Sequence, residues 1–175
     1  MTKEKLAQLF EKVEAFVFDV DGVLTNSSLL VTENGNLLRI MNVRDGYAIK
    51  TALDKGYKVA IITGGSSEGV IKRLQGLGVK DIYTKVFDKK SVLEDWLLKE
   101  AISAENVAYM GDDFPDYEVL QIVGLPACPA DAAPEIQHIC RYHSHVNGGE
   151  GCARDLIEKT LKIQHKWHSL EGFTD

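Results

Sequence analysis

The sequence predicts an α/β domain in which a mostly parallel sheet lies between two layers of helix. Three observations carry this. Short apolar runs bounded by Gly, Asn, Asp or Pro recur along the chain, segments with apolar residues at helical spacing stand between them, and each run has the length of a strand buried on both faces. At 175 residues the chain can bury a full core, with little left over for a second domain. A single domain spanning 1–175 is expected.

The elements follow in order. Residues 3–13 place Leu6, Leu9, Phe10 and Val13 on one helical face, and 15–20 (Ala-Phe-Val-Phe-Asp-Val) reads as a buried strand. Over 28–41 two apolar runs flank Glu33, Asn34, Gly35 and Asn36, an Asn-Gly turn signal, so a β-hairpin is expected to project from the alternation. Helix 45–55 (Tyr47, Ile49, Leu53) then precedes strand 57–62, helix 66–77 precedes strand 81–84, and helix 89–101 precedes strand 107–110. Short strands are expected near 124–127 and 139–143. Residues 152–165 put Ala153, Leu156, Ile157 and Leu161 on the stripe of a packed helix. Strands alternating with helices make a three-layer, Rossmann-like sandwich, with 166–175 as a mobile tail.

Composition narrows the partners. With 20 Lys+Arg against 26 Asp+Glu, a formal charge of −6 and no basic block, the chain lacks the footprint of a nucleic-acid or anionic-membrane binder. No apolar stretch reaches membrane-spanning length, and the charged first 16 residues do not read as a secretion signal. Three cysteines, Cys128, Cys140 and Cys152, are an odd number that fits a reducing compartment. A cytoplasmic protein is expected.

In a parallel sheet, ligands gather at the carboxyl ends of the strands. Reading off whatever follows each predicted strand gives Asp19-Val20-Asp21-Gly22-Val23, Thr63-Gly64-Gly65, Asp88-Lys89-Lys90 and Gly111-Asp112-Asp113-Phe114-Pro115-Asp116. Five carboxylates crowded together require a compensating cation, and hard oxygen donors suit Mg²⁺ rather than zinc or copper. Asp19 and Asp21, two apart on a strand, would face one side, with Gly22 free to turn. Such a pair can divide labour. One carboxylate can attack phosphorus, and the other can protonate the leaving oxygen and then activate water. The Thr63 hydroxyl and the Lys89 charge suit the oxygens of a transferring phosphoryl group.

Each of these features taken singly is ordinary: Asp-X-Asp is commonly a solvated turn, Lys89 could simply begin a helix, and Pro115 suits a helix first turn. Their joint occurrence at four strand ends is what points to metal-assisted phosphoryl transfer. Cys140, His143, His145 and Cys152 could be drawn as a zinc site, but their spacing matches no finger pattern.

This constellation resembles the haloacid dehalogenase superfamily of phosphohydrolases, with Asp19-Val-Asp21-Gly-Val as first motif, Thr63 as second, Lys89 as third and 111–116 as fourth. The resemblance implies that Asp19 is the nucleophile, Asp21 the general acid/base whose backbone carbonyl meets the metal, and Asp112 a direct carboxylate ligand. It implies that Asp113 and Asp116 act through water or orient Lys89. Neither the interval from Asp21 to Thr63 nor that from Thr63 to Lys89 can hold a cap domain. A capless site stands open to water, whereas phosphoryl transfer gains from desolvation, so association through the hairpin is the expected remedy.

Asn42-Val-Arg44-Asp45-Gly-Tyr47, Ile61-Ile-Thr63-Gly64, Arg73, Leu77-Gly78, Asp88-Lys89 and the stretch 148–155 are, more narrowly, similar to the 3-deoxy-D-manno-octulosonate 8-phosphate (KDO 8-phosphate) phosphatases, capless tetramers of lipopolysaccharide-sugar synthesis. That similarity implies a Mg²⁺-dependent sugar phosphatase and a homotetramer whose neighbours close each site. It implies that Arg44, Asp45, Arg73, Thr63, Gly64 and Lys89 contact substrate, and that 148–151 begin a segment able to fold towards a site. Relatives often carry a charged residue after Thr-Gly, where this chain has Gly65. Two alternatives stay open: a phosphatase for nine-carbon 2-keto-3-deoxy sugar acid 9-phosphates, which shares the four motifs, and a receiver-like phospho-acceptor domain, which lacks a second carboxylate two residues after its acceptor.

Overall fold

A computed structural model describes residues 2–167. Its first helix, α1 (Lys3–Glu11), is capped by the Thr2 hydroxyl, which accepts from Lys5 N, and buries Phe10. Strand β1 (Ala15–Phe18) follows and is buried along its whole length. A small hairpin, β2 (Leu30–Val31) and β3 (Leu37–Leu38), pairs Leu30 with Leu38 and Val31 with Leu37. Then come α2 (Val43–Asp54), β4 (Lys58–Ile62), α3 (Glu68–Gly76), β5 (Asp81–Tyr83), α4 (Lys89–Glu100) and β6 (Val107–Met110). The chain continues with α5 (Tyr117–Leu120), β7 (Leu125–Cys128), α6 (Pro134–Ile139), β8 (Tyr142–His143) and α7 (Cys152–Ile163). The expected tail 166–175 lies outside the described residues from 168 onward.

Six strands form one sheet in the order β5-β4-β1-β6-β7-β8, every neighbouring pair parallel. Side chains along β1 alternate between two cores, as a strand's period of two requires. Phe16 and Phe18 pack with Phe10, Ile49, Leu74 and Leu156 from α1, α2, α3 and α7. Ala15 and Val17 pack with Leu93, Trp96, Leu120 and Ile136 from α4, α5 and α6. These are the two helical layers that the alternation predicts. Because β1 sits between β4 and β6, the residues that follow these three strands meet at one edge.

Four details differ from the sequence reading. The first strand stops at Phe18, and 20–24 make an irregular turn in which Gly22 takes φ 91°, open to glycine at no steric cost. Regular hairpin pairing spans only two residues on each arm, closed by Thr32 N donating to Asn36 O at 3.0 Å. The strand expected over 139–143 is reduced to Tyr142–His143, since α6 occupies the residues before it with Pro134 in its first turn. Both α5 and α6 were absent from the sequence reading, because segments of four and six residues are too short to display a helical period.

Helix α2 begins two residues before the expected start, on Asn42, whose side chain accepts from Arg44 N at 2.8 Å. That places Asp45 in its first turn, 2% exposed and facing α7. The cap residue of α7, Gly151, has no side chain, and Asp45 Oδ1 accepts from Arg154 N at 2.7 Å in its stead. Burial raises the Asp45 carboxyl from 3.8 to about 6, while Arg154 opposes the shift, and Oδ2 has no hydrogen-bond partner among the described residues.

A carboxyl whose folded pKa is raised binds its proton more tightly when folded, so its contribution to stability is present below the unfolded value and is lost as pH rises through about 6. Asp45→Asn keeps an acceptor and removes that dependence. The stability of the wild type relative to Asp45→Asn should therefore fall by about 2 kcal/mol between about pH 4.5 and 7.5 in urea unfolding.

Candidate active site

Asp19 continues the β1 ladder, its N–H donating to Met110 O at 3.1 Å. The carboxylate, 7% exposed, accepts from Val20 N at 2.6 Å through Oδ1 and from Lys89 Nζ at 2.7 Å through Oδ2. Lys89 starts α4, which follows the edge strand β5, two strands away from β1. The connection covers that distance. Residues 84–88 cross back over the end of β4, with Lys85 N donating to Gly65 O and Val86 N to Thr63 O, both at 3.1 Å. Asp88 caps α4 by accepting from Ser91 N at 3.0 Å, leaving Lys89 to point inward, 3% exposed.

The ammonium of Lys89 also reaches Asp116 Oδ1 at 2.7 Å. Asp116 is 0% exposed and accepts twice more, from the Tyr109 hydroxyl at 2.6 Å on Oδ1 and from Asp112 N at 3.2 Å on Oδ2. Carboxylate oxygens of Asp19, Asp112 and Asp116 lie within 4.8 Å of one another. A Cβ on Gly22 would stand 1.9 Å from Asp112 Oδ2, so the cluster closes only because that residue is glycine.

The electrostatics follow from one base paired with two buried acids, Asp19 and Asp116, beside a half-buried third, Asp112. Burial, and then Asp116, push Asp19 up to about 6 against the opposing pull of Lys89. Burial, then Asp116 and Asp19, push Asp112 up to about 7. Burial alone would lower Lys89, but Asp116 and Asp19 outweigh it and the net shift is upward. A hard dication would answer this excess of negative oxygen, and the carboxylates of Asp19, Asp112 and Asp116 stand close enough together to hold one. Cys140, His143, His145 and Cys152 form no such group among the described residues.

Asp21 and Thr63 flank the cluster. The Asp21 side chain lies outside the trio: Arg39 donates to Oδ1 from Nε at 2.7 Å and to Oδ2 from Nη2 at 3.0 Å, and Thr25 Oγ1 stands 3.5 Å from Oδ1. Strand alternation does not set its direction, because the strand ends before it. Thr63, 4% exposed, accepts from Gly65 N through Oγ1 at 3.3 Å, and Gly64 stands beside it. Asp113 is exposed and accepts from Phe114 N at 2.8 Å, capping the short turn that carries Asp116 inward.

Arg44, Asp45 and Arg73 lie outside the acidic trio. Arg44 lines a surface cavity with His145, Glu150 and Arg154, Asp45 caps α7, and the Arg73 guanidinium lies against Gly46. The 148–151 segment packs on the site's own turn, Gly149 N donating to Val23 O at 2.9 Å. Sequence reasoning missed Tyr109 and Arg39. A tyrosine inside a strand that is otherwise wholly apolar was the signal for the first, since a buried hydroxyl needs a partner. A cation interrupting the apolar run Leu37-Leu38-Arg39-Ile40 was the signal for the second.

Residues 76–156 match a family model described as haloacid dehalogenase-like hydrolase. The 3-deoxy-D-manno-octulosonate 8-phosphate phosphatase of Salmonella typhi is 39% identical over 162 residues, covering 93% of this chain and 86% of that protein. The chain belongs to this phosphatase family of haloacid dehalogenase-like hydrolases. Among solved members, that from Yersinia pestis superposes with a TM-score of 0.92 at 32% identity, over 97% of this chain and 90% of that one. A member from Moraxella catarrhalis, solved with a magnesium ion, a phosphate ion and a KDO molecule, superposes at 0.91 with 28% identity, over 94% of each chain. The parallel sheet and its two helical layers are thus the family's fold, and Mg²⁺ is the cofactor that the acidic trio fits.

Asp112 is raised further than Asp19, so neutralising it should relieve the cluster as it removes a candidate ligand. Without metal at about pH 8, Asp112→Asn should be more stable than wild type by about 2–4 kcal/mol. Millimolar Mg²⁺ should raise the Tm of wild type and leave that of Asp112→Asn unmoved, as read by calorimetry.

Proposed function

We propose that this chain is a cytoplasmic Mg²⁺-dependent phosphatase that hydrolyses 3-deoxy-D-manno-octulosonate 8-phosphate, in the supply of lipopolysaccharide sugar, through an aspartyl-phosphate on Asp19. The observation that carries the reading is the Asp19–Lys89–Asp116 arrangement beside Asp112, in a chain whose relatives bear that activity in their names.

The residues divide the reaction as follows. Lys89, fixed by Asp116, holds the Asp19 carboxylate and receives the oxygens of the phosphoryl group, with Thr63 Oγ1 as a second donor. Asp19 forms the new bond to phosphorus as the bond to the sugar oxygen breaks, and that oxygen takes a proton from Asp21. Asp21 then takes a proton from the water that attacks phosphorus. The bond to Asp19 breaks, phosphate leaves, and both carboxyl groups return to their starting states. Asp19, Asp112 and the Asp21 carbonyl would hold Mg²⁺, which would supply the charge neutralisation that lets a dianion approach three acids. Asp116 serves by orienting Lys89, and Asp113 by capping the turn that carries it.

The site has no cap, and the hairpin beside it exposes Leu29, Leu30, Val31, Leu37, Leu38 and Ile40, with Ile40 79% exposed. So much apolar surface on so small an element favours burial against other copies, which supports a homotetramer joined through its hairpins, with neighbours closing each site.

Phosphate release from the eight-carbon substrate should require Mg²⁺, fall to background in Asp19→Asn, and fall about 10²–10⁴-fold in Asp21→Asn. A nine-carbon 2-keto-3-deoxy sugar acid 9-phosphate assayed in parallel should be the poorer substrate. Turnover surviving in Asp19→Asn would refute the assignment of the nucleophile.

A further inference from the structure

The Asp21–Arg39 pair poses a chemical problem for the mechanism. Both carboxylate oxygens are taken by the guanidinium, at 2.7 and 3.0 Å, so neither is free to hand a proton to a leaving oxygen. Arg39 does not lose its own charge in a protein. The fork must therefore open before Asp21 can act.

The surroundings show where Arg39 can go. Its side chain is 6% exposed and that of Asp21 36%, and Nη1 is held to Leu37 O at 3.2 Å, so the guanidinium hangs from the hairpin over the site. It shares one pocket wall with Asp21, Thr63, Gly65 and Ser66. A Cβ on Gly65 would lie 2.9 Å from Asp21 Oδ2, 3.1 Å from Arg39 Nη2 and 3.8 Å from Thr63 Oγ1. The guanidinium, the acid and the proposed phosphoryl donor thus crowd together over Gly65, leaving no room for a side chain there. A guanidinium fork fits a carboxylate or a phosphoryl group equally well, so trading one anion for another keeps both of its hydrogen bonds.

We infer that Arg39 is a substrate-binding residue masked by Asp21 in the resting enzyme, and that an anionic group of the substrate displaces Asp21 from the guanidinium, freeing the acid/base as the substrate is bound. The inference rests on the phosphatase reading for the role of Asp21, but the exchange itself is a binding event. No bond to carbon or phosphorus is made in it. The arriving anion is either the phosphoryl group or the carboxylate of a sugar acid, two sources of the same chemistry.

Binding calorimetry on the Mg²⁺-loaded protein separates this from turnover, with Asp19 intact in every variant and two non-hydrolysable ligands compared: the phosphonate analogue of 3-deoxy-D-manno-octulosonate 8-phosphate and that of glycerol 1-phosphate, which has no carboxylate. Removing the mask with Asp21→Asn should tighten binding about tenfold, and Arg39→Ala should weaken it about tenfold or more, with Arg39→Lys between because it keeps the charge without the fork. In the Arg39→Ala background, Asp21→Asn should have a much smaller effect, the signature of coupling between the two. Tightening with both ligands identifies the phosphoryl group as the anion, and tightening with the sugar acid alone identifies its carboxylate. Equal tightening by Asp21→Asn with and without Arg39 would reduce the effect to general charge and overturn the exchange, as would Arg39→Ala binding as well as its parent. A chain that shows the coupling but releases no phosphate from the phosphate esters themselves would retain the exchange and lose the phosphatase reading.

Discussion

One ammonium group shared between two buried carboxylates holds the site together. Lys89 lies 2.7 Å from both Asp19 and Asp116 with almost no solvent access, and charges so placed are tolerable only when paired and further hydrogen-bonded. The structure supplies both conditions. Asp19 is tied to Val20 N, and Asp116 to Tyr109 and to Asp112 N. The 84–88 connection bends over β4 to deliver the lysine, and Gly22 lets Asp112 close in. Removing Lys89 would leave three acids facing one another in a space that burial has already made hostile to charge.

The pairing is incomplete: one cation stands against three carboxylates, a deficit that adds to burial in raising Asp19 and Asp112. A divalent ion removes it, so the folded chain offers a preorganised demand for charge at the place where a phosphoryl group must be received. A second ion pair, Asp21 with Arg39, stands a few residues away with different consequences. It is partly exposed and links the site to the hairpin, the least embedded part of the fold. In the proposed mechanism the first pair fixes the nucleophile, and the second connects the acid/base to a hairpin whose apolar side chains are exposed.

Much of this was legible in the sequence because the β-strand alternation and the strand-end rule are both consequences of backbone geometry. Asp19, Thr63 and Asp112 follow strands that are neighbours, so a parallel sheet brings them together without any knowledge of side-chain packing. Lys89 was placed by the same rule although its strand is at the edge, and only the return path of 84–88 explains why the rule worked there. Other features were illegible for stated reasons. The short helices α5 and α6 carry too few turns to show a period, and the turn at 20–24 overrides a strand pattern that runs on to Val20. Tyr109 and Arg39 act through long-range partners. Asp45 resembles a ligand in sequence, whereas within one chain it caps α7, a pairing across 109 positions that no local pattern encodes.

The central claim is that phosphorus passes through Asp19 on its way to water, and the stereochemical course at phosphorus tests it whatever the lifetime of the intermediate. Each in-line displacement inverts configuration. Hydrolysis, in water carrying a third oxygen isotope, of a thiophosphoryl substrate made chiral at phosphorus with the other two should therefore give thiophosphate with overall retention, the result of two displacements. Overall inversion would mean that water attacks the substrate directly, and would contradict a covalent role for Asp19.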